Sequence, residues 1–319
     1  MKILITGGLG YIGGRIFQFI REKEPECQLF LTTRNLRKRP EWTNNADIIE
    51  MDVLKEKSIK NCLSIAQVDV IIHLASLNEI ESAQDPKLAI DVNTKGTFKL
   101  LNIANEEGIK NIVYFSTFHV YGLVTDSVIT EDTATKPYHP YAITHRSAED
   151  YVRYFKHYFN FETLTLRLSN GYGYPMHRDI NRWTLLFNDL CKQAVIEGKI
   201  VLRSSGKQYR DFISLNDVAR AVYHFIFLEK DKWGDGLFNL GGDCNMSVME
   251  VAEKISEIYK KKYKKSKLEI IIDSKDTDLT NTKPIKYSID KLSKTGFQLE
   301  NTMDYEINKT MELCEQFMK

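Results

Sequence analysis

The stretch ITGGLGYIGGRIF, residues 5–17, decides the fold. An apolar run, KILIT at 2–6, leads into it, and its last residues open an amphipathic helix. Gly8, Gly10 and Gly13 stand in the dinucleotide-binding spacing, with Gly7 one step earlier. Glycines let the backbone turn tightly and approach a pyrophosphate, whose charge is met by free N–H groups and the positive end of the helix. A purely structural glycine turn is the bland alternative, but a strand before and a helix after favour a phosphate cradle. At the end of the second apolar run, NAD-binding folds usually carry an acid for the ribose hydroxyls. This chain has Thr33 and Arg34 there, followed by Arg37, Lys38 and Arg39. Arginine suits the 2′-phosphate of NADP, whereas Thr33 can hydrogen-bond an unphosphorylated ribose. Both NAD and NADP stay open as cofactors.

Working outward, the apolar runs at 2–6, 29–33, 48–51, 68–74, 111–116 and 163–168 are apolar on both faces, as buried parallel strands are. Amphipathic stretches such as 86–105 and 141–158 lie between them. The alternation predicts an α/β fold, a Rossmann-type doubly wound parallel sheet with a smaller, interwoven C-terminal substrate lobe. The expected boundaries are 1–172 for the dinucleotide-binding domain, with 209–240 contributing, and 173–208 plus 241–319 for the lobe. The lysine-rich run from Lys260 to Lys267 reads as a solvated helix end rather than a phosphate-attracting patch.

At 319 residues and 43% hydrophobic, the chain is long enough for a sizeable core. Forty-four basic against 43 acidic residues leave a formal net charge of +1, which offers no global attraction for nucleic acid or an anionic membrane. Cys27, Cys62, Cys191, Cys244 and Cys314 are scattered without a CxxC pair, so neither a zinc site nor a disulfide framework is expected. The opening MKILITGG runs into glycines too early for a signal peptide, and no apolar run approaches membrane-spanning length. A cytoplasmic location is the expectation.

Further markers are MDVLK at 51–55, IIHLAS at 71–76, VNTKGT at 92–97, STFHVYG at 116–122, PYAITH at 140–145, RLSNGYGYP at 167–175, YRDFISLNDVARAV at 209–222 and FNLGG at 238–242. With TGGLGYIGG at 6–14, the chain resembles the extended short-chain dehydrogenase/reductase family over nearly its whole length. This is the group that modifies nucleotide sugars and includes UDP-galactose 4-epimerase and the sugar-nucleotide 4,6-dehydratases. The resemblance implies that Gly7, Gly10, Tyr11, Ile12 and Gly13 hold the cofactor phosphates. Thr33 and Arg34 would meet the ribose, Asp52 and Val53 the adenine, and Leu74, Ala75, Ser76, Ser116 and Leu168 would line the rest of the cofactor site. Asn93 would steady the helix beneath it. Thr117 takes the catalytic Ser/Thr position and Tyr141 that of the acid–base tyrosine, while Asn170 and Arg210 would bind substrate, Arg210 at its diphosphate.

Two departures stand out. Where the family has a lysine one helical turn beyond the tyrosine, this chain has His145. An unperturbed tyrosine titrates near pH ~10 and needs help to work at neutral pH. A histidine can donate to the nicotinamide ribose, but its reference pKa of about 6.5 makes its charge conditional, which detunes the tyrosine. The second departure is Phe118 and His119 in place of the dehydratases' Asp-Glu pair. Elimination of water then lacks its acid and base.

The expected activity is hydride transfer at a ring carbon, C4 first, of a nucleotide-diphosphate sugar. The resemblance accommodates 4-dehydrogenases and 4-ketoreductases of bacterial surface polysaccharide synthesis, those acting on a GDP-heptose included. A 4-epimerase that retains a tightly bound cofactor uses the same residues, and a catalytically dormant dinucleotide-binding regulator is the alternative of another class. The resemblance also implies a homodimer or larger assembly through the helices at 86–105 and 141–158. Leu88, Val92, Leu100, Tyr151 and Tyr154 are the candidates for its outer faces, although some of them must simply pack on the sheet.

Overall fold

The computed structural model describes residues 1–36, 39–43, 46–123, 128–273 and 283–318. Arg37 and Lys38, expected near the cofactor ribose, lie outside the described residues. The chain divides into two compact units. The first comprises Met1–Thr125, Glu131–Leu168 and Ala219–Asn239, and the second Asp126–Thr130, Ser169–Val218 and Leu240–Lys319.

The first unit is built on a parallel sheet. Its strands are β1 (Lys2–Thr6), β2 (Gln28–Thr33), β3 (Asp47–Glu50), β4 (Val70–His73), β5 (Asn111–Thr117), β6 (Glu162–Leu168) and β7 (Leu237–Leu240). They lie side by side as β7-β6-β5-β4-β1-β2-β3. Each apolar run of the sequence forms one of these strands, and β7 joins at the edge. Ile3, Leu4 and Ile5 of the central strand are completely buried, which explains why KILIT shows no alternation. Fully burying each such side chain favours the fold by about 1.5–3 kcal/mol. The order reverses direction of growth at β1 and β4, and in open α/β sheets ligands bind beyond the carboxyl ends of strands at such a switch point.

Helices cover the sheet. α1 (Tyr11–Lys23) follows β1, and α2 (Glu56–Ala66) contributes Ile59, Cys62 and Leu63 to the core shared with Leu4 and Ile71. The stretch expected as one plain helix at 86–105 has three parts: Pro86–Ala89, a wider π-type turn Ile90–Gly96, and Thr97–Glu106. The π-type turn leaves the Asn93 carbonyl to the Thr97 hydroxyl, which donates to it at 2.6 Å. Val92 and Leu100, expected on an outer face, are buried in the core instead, because that side packs against the sheet. Leu88, Tyr151 and Tyr154 are exposed.

The second unit holds a three-stranded sheet of Asn170–Tyr172, Tyr209–Ser214 and Asn245–Ser247 and a parallel pair, Lys199–Leu202 with Glu269–Ile272. Helices Leu186–Glu197, Val248–Tyr263 and Met303–Cys314 enclose a separate core around Leu190, Val251, Ile255 and Met311. Val248–Tyr263 starts at a capping box in which Ser247 and Glu250 satisfy each other's backbone N–H. It ends at Lys264 in the left-handed conformation, with Lys262 paired to Glu312. The lysine run is thus a helix C-terminus, where cations offset the helix dipole.

Candidate active site

The candidate cofactor residues of the first unit gather at the carboxyl ends of its strands. Register pairs Thr6 with His73 and Thr117 with Leu168, so β1 ends level with β4 and β5 level with β6, while β5 continues from Tyr114, the partner of His73, to Thr117. Gly7 adopts φ +66°, and a Cβ there would stand 3.2 Å from the Ala75 nitrogen. A Cβ on Gly13 would fall 2.6 Å from the Gly7 carbonyl oxygen and 2.7 Å from Gly8 Cα. The loop closes by Gly10 N–H donating to Gly7 O at 2.9 Å. α1 then begins at Gly10 with no side-chain cap and no acid in its first turn. A cradle that only glycines can line, opening a helix whose positive end carries no anion of its own, fits a dinucleotide pyrophosphate.

A hydrogen-bonded chain runs beneath this cradle. Thr97 gives its only hydroxyl proton to Asn93 O, so it must accept from His73 Nε2, 3.1 Å away. His73 Nδ1 is then bare and accepts from Thr6 Oγ1 at 2.7 Å. Thr6 Oγ1 in turn accepts from Leu74 N–H and Ala75 N–H, at 3.0 and 3.1 Å. Burial drops the His73 pKa to about 4, which keeps it neutral for this role. Asn93, almost wholly buried, accepts from Leu77 N–H at 2.7 Å and donates to Thr144 Oγ1 at 3.0 Å. It therefore ties the segment after β4 to the helix that carries Tyr141.

That helix, α3 (Pro140–Phe159), has Pro140 in its first turn and His139 as N-cap, whose Nδ1 accepts from Tyr141 N–H at 3.2 Å. Tyr141 is thereby placed at the very start of the helix, half-buried, with His145 one turn on and buried. Their rings meet edge to face at a centroid distance of 4.5 Å. His119 closes on the other side of Tyr141, edge to face at 6.3 Å. Thr117, at the end of β5, accepts from His119 N–H at 3.2 Å through Oγ1. His119 thus links Thr117 to Tyr141.

The expectation of a conditional charge on His145 is corrected by burial. Desolvation lowers its pKa to about 3, with the His73 and His119 charges adding to the drop and the Phe115 backbone opposing it. The imidazole is neutral throughout the neutral pH range. Its Nδ1 lies 2.8 Å from Tyr114 Oη, while its buried Nε2 makes no hydrogen bond among the described residues. An orphaned polar atom beside Tyr141, the tyrosine expected as acid–base, is where a cofactor hydroxyl would be met.

Other candidates serve the frame as well. Thr33 Oγ1 accepts from Asn35 N–H at 3.1 Å in a tight turn, with Arg34 exposed beside it. Asp52 Oδ1 accepts from Leu54 N–H at 3.1 Å, and Val53 packs against Gly96, where a Cβ would stand 2.9 Å from Val53 Cγ2. The hydroxyl of Ser116 is committed to Glu149, and the exposed Ser76 lies just beyond Ala75. Asn170 and Arg210 belong to the second unit, where Asn170 Nδ2 donates to Asp211 O at 2.9 Å. Arg210 is exposed, its guanidinium pKa is lowered by desolvation, and it makes no ion pair among the described residues. Sequence reasoning missed Thr6, His73, Thr97, Tyr114 and Thr144, although His73 and Thr97 stand inside the quoted motifs IIHLAS and VNTKGT.

An open parallel sheet, a glycine cradle at its switch point and a tyrosine at a helix start define a nicotinamide-dependent enzyme of the Rossmann class. The chain belongs to the NAD dependent epimerase/dehydratase family, whose model matches residues 3–241. It is 25% identical to the dTDP-D-glucose 4,6-dehydratase of Bos taurus, over 98% of this chain and 88% of that protein. It is 26% identical to a putative UDP-glucose 4-epimerase of Methanocaldococcus jannaschii, over 88% of this chain and 93% of that one. In fold it matches the UDP-glucose 4-epimerase of Thermotoga maritima, solved with UDP-glucose, with a TM-score of 0.84 at 20% identity over the whole of both chains. The expectation of a nicotinamide dinucleotide cofactor holds, with NAD the cofactor of the family. No helix among the described residues is long and apolar enough to cross a membrane, and no cluster of metal-ligating side chains occurs among them.

Proposed function

We propose that the chain is an NAD(P)-dependent oxidoreductase acting at a ring carbon, C4 first, of a nucleotide-diphosphate sugar. It works as a 4-dehydrogenase or 4-ketoreductase of bacterial surface polysaccharide synthesis in the cytoplasm, with a GDP-heptose as one candidate substrate. The observation that carries this reading is the wall around Tyr141, where two imidazoles, His119 and His145, stand against its ring and Phe118 precedes His119. Elimination needs a second acid–base pair beside the reacting carbons, and the turn after Thr117 carries no carboxylate. Hydride transfer needs only the alcohol proton to be moved.

A dinucleotide held at its pyrophosphate by the glycine cradle would supply, through its nicotinamide, the hydride acceptor or donor. Tyr141 Oη takes the alcohol proton in oxidation and returns it in reduction. Thr117 Oγ1 accepts from His119 N–H and keeps its own proton to donate to the sugar oxygen. Arg210, exposed and without an ion pair among the described residues, suits a diphosphate that it can bridge in bidentate fashion.

Epimerisation at C4 is the second reading, supported by the epimerases among the chain's relatives. A dormant dinucleotide sensor is a third, supported by the neutral His145. A homodimer is part of the proposal: Leu88, Ile90, Phe98, Tyr151 and Tyr154 are exposed, and the Phe98 and Tyr151 rings touch at 5.1 Å. Light scattering at micromolar concentration checks it, and a monomer would count against it. The activity itself is tested by screening UDP-, GDP- and dTDP-sugars for cofactor reduction and for altered stereochemistry of the recovered sugar. Loss of water from the product would overturn the reading, and cofactor binding without turnover of any sugar would favour the sensor.

A further inference from the structure

Tyr114 Oη lies 2.8 Å from His145 Nδ1, and both side chains are buried. A tyrosine hydroxyl has one proton to give, and an imidazole nitrogen either gives or takes one, so the direction of this bond decides the tautomer. Other destinations for the Tyr114 proton are closed. The neighbouring His73, its ring centroid 6.0 Å away, engages its nitrogens with Thr6 and Thr97. No other hydrogen bond reaches Tyr114 Oη among the described residues. Were Nδ1 to carry the proton and donate, the buried hydroxyl hydrogen would have no acceptor, which is the more costly arrangement.

We infer that Tyr114 donates to His145 Nδ1 and locks the imidazole in its Nε2–H form, making Tyr114 a positioning residue that presents a fixed, neutral hydrogen-bond donor beside Tyr141. The inference rests on the reading of Tyr141 as the acid–base. It assigns Nε2–H an acceptor oxygen as partner, a cofactor ribose hydroxyl being the chemistry that fits. Tyr114 is suited to a permanent donor, since burial holds its phenol far above the usual range, with the Glu149 and Tyr141 charges adding to the shift. The groups that face His145 are His73 on β4, Tyr114 and the Phe115 backbone carbonyl on β5, His119 in the turn after it, and Tyr141 on α3 itself. None of them is a cation partner or a carboxylate that would recharge the ring. Tyr141 accordingly works beside a dipole rather than beside a charge.

Long-range 15N spectra of histidine-labelled protein read the tautomer directly, whether or not the enzyme turns over. The wild type is expected to show a pyrrole-type Nε2 and a pyridine-type Nδ1 for His145, unchanged between about pH 5 and 8. In Tyr114→Phe, which keeps the ring and removes only the hydroxyl, that pattern is expected to become a tautomer mixture while thermal unfolding stays cooperative. Affinity for NAD is expected to fall by about 2–10-fold, as for one neutral hydrogen bond made less reliably. In a His145→Lys background the same Tyr114→Phe change is expected to leave NAD affinity unaltered, because the hydroxyl then has no imidazole to direct. A pyrrole-type Nδ1 in the wild type would overturn the inference, as would equal losses in both backgrounds, which would make Tyr114 merely structural. If the tautomer is as stated but no sugar nucleotide is turned over, the proposed function fails and the lock stands.

Discussion

Glu149 and Arg167 form a two-pronged ion pair inside the first unit, with Arg167 Nε 3.0 Å from Glu149 Oε1 and Nη2 2.8 Å from Oε2. Both are nearly inaccessible to solvent, and the pair joins α3 to β6 directly behind the strand end that carries Ser116 and Thr117. Burial alone would lower the Arg167 pKa, but its hydrogen bond and charge interaction with Glu149 outweigh that and raise it above the usual range. Breaking the pair from one side leaves an uncompensated buried charge. Glu149→Ala is expected to cost about 3–5 kcal/mol in urea unfolding, and the double change Glu149→Leu with Arg167→Met to recover most of that loss. A single-variant loss under about 1 kcal/mol would show that the pair is solvated in solution.

Acid should loosen the first unit through its two neutral histidines. His73 and His145 have folded-state pKa values of about 4 and about 3, against about 6.5 in an unfolded chain. Between those limits the unfolded chain holds more protons, so stability rises with pH and is lost as pH falls from about 6.5 toward the folded values. Each histidine is expected to cost about 2 kcal/mol between pH 7 and pH 5. Denaturant midpoints at the two pH values check this: His145→Gln should shrink the acid loss by about one such increment. An unchanged loss would mean that His145 is protonated in the native protein.

Removing the phenol tests the chemistry. Tyr141→Phe is expected to lower kcat by about 10²–10⁴-fold while NAD still binds. His145→Lys places an ammonium one turn from Tyr141, and in the direction of sugar oxidation the rising limb of the pH–rate profile should move to lower pH. Turnover near neutrality should hold or rise. Collapse of activity with fold and cofactor content intact would instead give the neutral imidazole a specific task.

Arg210 gives a test confined to substrate. Arg210→Ala is expected to raise the KM for a sugar nucleotide by about 10–100-fold, the range of a charged hydrogen bond to phosphate, and to leave NAD affinity within about twofold. Equal effects on both ligands would remove Arg210 from the substrate site.

Much of this was legible in the sequence where the signal is local. The glycine cradle, the run KILIT and the helix start at Pro140–Tyr141 each depend on neighbours within a turn or a strand, and each is found where the pattern put it. What escaped depends on distant partners. β7 is a strand because it pairs along the edge of β6, and nothing in Leu237–Leu240 alone demands that. Which of the five candidate outer-face residues pack on the sheet was open in the sequence, and the fold buries Val92 and Leu100. The state of His145 follows from a hydroxyl placed 31 residues earlier in the chain and from desolvation, and neither can be read from a motif.

The π-type turn at Ile90–Gly96 has a consequence for inheritance. Such a turn carries a residue more than the α-helix it interrupts, so a one-codon deletion anywhere within it would restore regular winding. The helix would lose nothing by itself, but one residue of α-helical winding is about 100°, and Asn93 would swing away from Leu77 and Thr144 by that amount. A lineage that keeps this site therefore has to keep the odd residue. Length variation is expected to collect in the surface connections of the fold and to spare this helix.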